Sequence, residues 1–165
     1  MSTSAGKPFY YPQGVTTPSP QLQAVLRWFD ALIKHDIHAL SDVLTDDYVH
    51  PILPQSLGLP TYDRAGFLEF VEKVLIPFMT QYEYTVLDAL ETPDRVMIHT
   101  AANGSTSTGH PYTSELLLVA RVVQQADGEY RIQQMKEFVD AGMLVSGFFD
   151  AEMKRMESVR KVVSS

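Results

Sequence analysis

The apolar residues of this chain change their period once, near Pro77, and that change limits the folds open to it. Before it they recur at helical spacing. Leu22, Val25, Leu26, Phe29, Leu32 and Ile33 follow Ser19-Pro20, a capping serine with proline in the first turn. Asp36 is placed to cap a second, short helix carrying Ile37, Leu40, Val43 and Leu44. Asp63 opens a third with Phe67, Phe70, Val71, Val74 and Leu75, which Pro77 should end or kink. His50 to Pro60, with its prolines and Gly58, is expected to lack regular structure. After Pro77, residues 83–91, 95–103, 112–125 and 130–139 are rich in Val, Ile, Thr and Tyr and read as strands, with Asp127-Gly128 as a hairpin turn. A last helix is expected over 150–162. Helices first and sequential strands later predict an α+β fold, with helices packed on one face of an antiparallel sheet.

The 165 residues predict one domain, 20–149, followed by a C-terminal helix and tail, 150–165. A flexible arm, 1–19, precedes it; Phe9, Tyr10 and Tyr11 suit that arm to packing on the body or on a partner subunit. A net charge of −7 with no basic run argues against nucleic acid, because neutralising phosphates takes clustered Lys and Arg. With no cysteine, disulfides, thiolate metal sites and a cysteine nucleophile are excluded. No apolar run nears the ~20 residues that span a bilayer, and the first residues do not read as a signal peptide, so no membrane and a cytoplasmic location are expected.

Chemistry is sought first in Met135-Lys136-Glu137-Phe138-Val139-Asp140, where two acids flank an apolar pair. A carboxylate in an apolar setting has a raised pKa and can move protons. The strand pleat separates the two acids. Glu137 is expected to face the concave side with Met135 and Val139, either as a catalytic acid or paired with an Arg such as Arg27. Asp140 is expected where the chain leaves the sheet, as a helix cap or a pocket group. His99 and Asn103, four apart on one strand, are placed together on the concave face, His99 to exchange a proton and Asn103 to hold an oxygen. Glu115 is expected on the convex face, at the rim or paired with Arg121. Tyr48 and Tyr62 are alternative donors to an oxyanion.

Several segments carry a resemblance. Arg27-Trp28-Phe29 with Lys34-His35-Asp36, Asp46-Asp47-Tyr48-Val49-His50-Pro51, Pro54-Gln55-Ser56-Leu57-Gly58, Gly109-His110-Pro111-Tyr112-Thr113-Ser114-Glu115 and Glu137-Phe138-Val139-Asp140 resemble the NTF2-like superfamily in its SnoaL-like branch, over about 21–149. The resemblance implies a cone: a curved antiparallel sheet wrapped around N-terminal helices, with an internal pocket and a dimer formed through the sheet. It implies that His50 stands where relatives of the ketosteroid isomerase type carry a proton-shuttling Asp. It also implies that Trp28 lines the pocket, and that Tyr112 and Glu115 belong to the site. The function expected is a cofactor-independent isomerase, cyclase or dehydratase, acting by proton transfer on a small apolar carbonyl compound. His50, Glu137 and His99 would be catalytic, and Trp28, Tyr48, Asn103, Tyr112, Glu115 and Asp140 would bind substrate. The alternative is a non-catalytic binder of small molecules. No metal is expected, since His50, His99, Glu115 and Glu137 show no ligand spacing.

Overall fold

The computed structural model describes residues 17–163; the expected arm with Phe9, Tyr10 and Tyr11 lies outside them. Helix α1, Pro20–Lys34, starts as its sequence dictates: the Ser19 side chain accepts from Leu22 N at 3.0 Å. It buries Leu22, Val25, Leu26, Trp28, Phe29 and Leu32. Asp36 caps α2, Ile37–Asp42, by accepting from Ala39 N at 2.9 Å. Asp63 caps α3, Arg64–Phe70, which widens into a π-helical turn, Val71–Leu75, before the short α4, Ile76–Phe78. Pro77 is the second residue of α4, a first-turn position whose N–H has no acceptor within that helix, and the helix ends one residue later.

Six strands form one curved, unclosed sheet: β1 Leu44–Leu53, β2 Thr61–Asp63, β3 Met79–Thr92, β4 Arg95–Thr106, β5 Pro111–Gln124 and β6 Tyr130–Phe138. Their order is β2-β1-β6-β5-β4-β3. Bulges interrupt β3 between Met79 and Gln81 and between Val86 and Asp88, and β5–β6 pairing between Arg121 and Val122, which bends the sheet around α1. Buried residues alternate along the strands: Val96, Ile98, Thr100 and Ala102 on β4, then Tyr112, Ser114, Leu116, Leu118, Ala120 and Val122 on β5. These inner faces pack on α1, which touches β3, β4, β5 and β6.

One expectation is corrected. The region from His50 was expected to be irregular; instead β1 runs through Pro51 to Leu53 and pairs with β6, a parallel seam in a sheet whose other pairs are antiparallel as expected. Tyr48 and His50 point inward and Val49 outward, a strand period that the two prolines conceal. Pro51 is tolerated where it pairs with Thr61, the first residue of the three-residue β2. The partner that makes 44–53 a strand is nearly ninety residues away, beyond the reach of local pattern.

The chain leaves the sheet at Asp140, which caps α5, Ala141–Val145, accepting from Gly142 N at 2.9 Å and Met143 N at 3.3 Å. Helix α6, Phe148–Val163, follows Gly147 at φ 77°. Phe149 stacks on Phe78 at 5.3 Å, and Glu152 is buried against the β4–β5 turn. Its carboxylate accepts from Thr108 and from Arg155 Nε at 2.6 Å, with His110 Nδ1 at 3.5 Å. It is wrapped by its own partners rather than set deep in the core. Burial raises its pKa, but hydrogen bonds from Thr106, Thr108 and Arg155 outweigh that and hold it at about 2.

Because the folded-state value lies below the ordinary 4.5, the stabilisation is full above pH 4.5 and is lost as pH falls towards about 2. Urea unfolding of the protein and of Glu152→Gln is expected to show a stability gap at neutral pH that closes over this window. A gap that is constant with pH would contradict the assignment.

Candidate active site

Three elements meet beneath the curve of the sheet. Strand β1 supplies Tyr48 and His50, the parallel neighbour β6 supplies Glu137, and α1 supplies Trp28. Glu137 pairs in register with Ile52 of β1 and Leu118 of β5, and Leu118 is fully buried, so the acid lies on the inner face. His50 is 1% exposed. Its Nε2 lies 2.8 Å from Glu137 Oε2, and its Nδ1 lies 2.6 Å from the Tyr48 hydroxyl. Phe67 of α3 stacks on the imidazole at 4.3 Å between ring centres, with Trp28 stacked 6.3 Å away.

The proton positions follow from the phenol. Burial, and then the Glu137 charge, push the Tyr48 pKa well above the usual phenol range, so Tyr48 keeps its proton. Its O–H donates to His50 Nδ1. The ring proton of a neutral His50 therefore sits on Nε2 and is donated to Glu137. The Trp28 ring N–H, buried without a partner of full hydrogen-bond geometry, lies near enough to the Tyr48 oxygen to favour its ionised form. Of these groups Glu137 is the one that reaches accessible surface, with 20% of its side chain exposed against 1% for His50. Thus Glu137 can meet a ligand, and His50 acts behind it.

A second inner-face group lies on β3 and β5. Tyr84 sits 4.5 Å from Tyr82 and 4.6 Å from Phe29 between ring centres, and Tyr82 sits 6.0 Å from Tyr112. Burial raises all three phenol pKa values, and neighbouring phenols and the Glu137 charge act on them as well. Tyr82 and Tyr84 remain partly accessible although their hydroxyls are strongly desolvated, so the surface they show lies within the curve of the sheet. Tyr62, paired with His50 across β2 and β1, packs on Phe70 at 5.1 Å. Two open hollows of about 250 and 590 Å³ lie elsewhere, around Asp42 and Arg131, and neither is lined by His50, Glu137 or these tyrosines.

The structure separates the residues that the sequence grouped. Trp28, Tyr48, His50, Tyr112 and Glu137 share the interior. His99 and Asn103, expected on the concave face, lie on the convex one, because the buried parity of β4 is Val96, Ile98, Thr100 and Ala102. A one-residue error in aligning the strands inverts every side chain. His99 Nε2 instead contacts Glu115, its diagonal neighbour on the convex face, so Glu115 pairs there with His99 rather than with Arg121. Arg27 pairs with Glu129 at 3.5 Å and leaves Glu137 to His50. Asp140 is a helix cap. The His50–Glu137 and His99–Glu115 pairs thus sit on opposite faces, and among the described residues no three His, Asp or Glu side chains gather as a metal site. Sequence reasoning passed over Tyr82 and Tyr84, although the alternation Tyr82-Glu83-Tyr84-Thr85-Val86 was legible as a strand face.

A half-open sheet curved over helices, with polar groups held on its inner face, is the architecture of NTF2-like proteins. The chain belongs to the SnoaL-like domain family, whose pattern matches residues 25–134. Among solved structures it is similar to the BvnE pinacolase from Penicillium brevicompactum, with TM-score 0.67 and 20% identity over 82% of this chain and 95% of that one. It is also similar to a loop-truncated variant of IdmH, with TM-score 0.62 and 25% identity over 78% and 98%. An NTF2-like protein of unknown function from Burkholderia pseudomallei gives TM-score 0.63 and 16% identity over 78% and 97%. No curated protein matches by sequence. No helix among the described residues is long and apolar enough to cross a membrane.

Removing the Tyr48 hydroxyl strands His50 Nδ1 in a buried site. Tyr48→Phe is expected to lower stability by about 1–3 kcal/mol in urea unfolding; an unchanged midpoint and slope would show that the hydrogen bond is not formed.

Proposed function

We propose that this protein is a cofactor-independent SnoaL-like enzyme of the isomerase, cyclase or dehydratase type, acting by general acid–base proton transfer on a small apolar carbonyl compound, with Glu137 as the base. The observation that carries this reading is the chain Tyr48–His50–Glu137, in which one carboxylate oxygen is fixed by a buried imidazole and the acid reaches accessible surface. Glu137 removes a proton next to the substrate carbonyl through its free oxygen, and the electron pair moves onto the carbonyl oxygen as an enolate. The same carboxyl returns the proton to another carbon, or to a leaving hydroxyl. His50 holds the carboxylate orientation through its Nε2–H, and Tyr48 fixes the tautomer that lets it do so. The aromatic surroundings suit an apolar substrate.

A minimal test uses β-tetralone, a neutral cyclic ketone with acidic C–H groups, and follows deuterium uptake from heavy water by NMR. The protein is expected to accelerate exchange above the buffer rate, and Glu137→Gln to reduce that acceleration by about 10²–10⁴-fold. Exchange that persists in Glu137→Gln refutes the assignment. No acceleration by the unaltered protein favours the second reading, a non-catalytic small-molecule binder. The observation on that side is that Glu137 already spends one oxygen on His50, as a carboxylate tied up for structure would.

The convex face, with part-buried Met97, Leu117 and Val119 and exposed Leu90 and Phe138, supports a homodimer through the sheet. Sedimentation is expected to give twice the 18.5 kDa chain mass, falling to one chain in Phe138→Glu; a monomer throughout would refute it.

A further inference from the structure

Strands β3, β4 and β5 pair so that Tyr82, Gly104 and Tyr112 form one row across the sheet, and Tyr84, Ala102 and Ser114 the next. Residues two strands apart are separated by roughly 9–10 Å at the backbone. Yet the Tyr82 and Tyr112 ring centres are 6.0 Å apart. The rings lean together across the row in which Gly104 lies between them. A Cβ there would fall 2.0 Å from the Gln81 carbonyl oxygen at the β3 bulge, so close backbone approach requires glycine. The hydroxyls act on one another, Tyr82 with Tyr84 and Tyr112, and Tyr112 with Ser114.

All three phenols feel the charge of Glu137 across the inner face, and Tyr112 that of Asp140 as well. None of the groups that act on them most strongly is a Lys or Arg. Among the described residues, the surroundings of the phenols therefore offer neutral O–H donors and the negative charges of Glu137 and Asp140, a poor setting for an anion. We propose that Tyr82, Tyr84 and Tyr112 form a hydroxyl wall, facing Glu137, that holds the oxygen of an uncharged cyclic ketone or enol and turns away the corresponding carboxylate.

This specificity deepens, and rests on, the role of Glu137 as the base. A ketone whose oxygen accepts from the phenols presents its neighbouring C–H groups towards the acid. When Glu137 takes the proton, charge grows on the oxygen, where the hydroxyls already point, and those hydrogen bonds strengthen. A ligand carboxylate would instead set a second negative charge near Glu137 in a desolvated space. The neutral phenols keep this preference up to high pH, because burial holds their protons on.

The chain has one tryptophan, and Trp28 joins Tyr84 through Phe29, which lies 5.1 Å from Trp28 and 4.6 Å from Tyr84. Its fluorescence therefore reports occupancy. β-Tetralone, tetralin and tetralin-β-carboxylate are titrated against the protein. The ketone is expected to bind at least about tenfold more tightly than the carboxylate, and more tightly than tetralin. Tyr84→Phe and Tyr112→Phe are each expected to weaken ketone binding about three- to tenfold while tetralin affinity stays the same, which also shows that the variants are folded. Equal affinity for ketone and carboxylate, no saturable ketone binding, or Phe variants with an unchanged ketone-to-tetralin ratio overturns the proposal. Failure of the base assignment reads differently: Glu137→Gln would then exchange deuterium as fast as the unaltered protein while the ketone preference persists.

Discussion

The hydrogen bond from His50 Nε2 to Glu137 Oε2 joins residues 87 apart and ties β1 to β6, the parallel pair of the sheet. Each neighbouring feature adjusts to it. Tyr48 donates to the other ring nitrogen, Phe67 stacks on the imidazole with Trp28 beside them both, and α1 is positioned by the same aromatic packing. A buried histidine satisfied at both nitrogens costs little to keep, whereas loss of either partner leaves an orphaned polar atom in an apolar shell. The arrangement also divides labour. The imidazole is sealed, and the carboxylate keeps a route to the accessible surface.

Much of the fold could be read from local pattern. The α1 cap at Ser19, the caps at Asp36 and Asp63, the helix end at Pro77 and the four long strands all rest on short-range chemistry, and the α+β class follows from their order. What local pattern missed was non-local. Strand β1 exists because β6 lies beside it, and two prolines disguise its alternation. The site divided along the same line. Glu137 could be placed from the parity of its own strand, and Asp140 from its position before a helix. The face taken by His99 and Asn103 depended on the register between strands, and they lie opposite to the one expected. Turn positions set strand ends, but bulges inside β3 and between β5 and β6 shift what lies opposite what.

The chemistry also moved within the pair. Residue type alone draws attention to histidine. Burial points to the acid instead, because a side chain as enclosed as His50, stacked under Phe67, does not meet a substrate directly. The same logic explains why the tyrosines of β3 count for more than their exposure suggests. They are partly accessible on a surface that faces inward, and their aromatic neighbours run through Tyr112 to Phe148 and Phe149 at the start of α6. The polar site and the docking of the C-terminal helix therefore share one aromatic layer, with Glu152 anchoring its far end.

The parallel seam has a consequence for the order of assembly. Tyr48 and His50 emerge early in synthesis, yet their partner Glu137 lies on the last strand, after three antiparallel strands have been made. Until β6 inserts between β1 and β5, the imidazole has no acid and the inner face is open on one side. Contacts of such long sequence separation form late and slowly. The Tyr48–His50–Glu137 chain is thus completed only when the sheet is, so a partly folded protein with its strands unpaired would lack it.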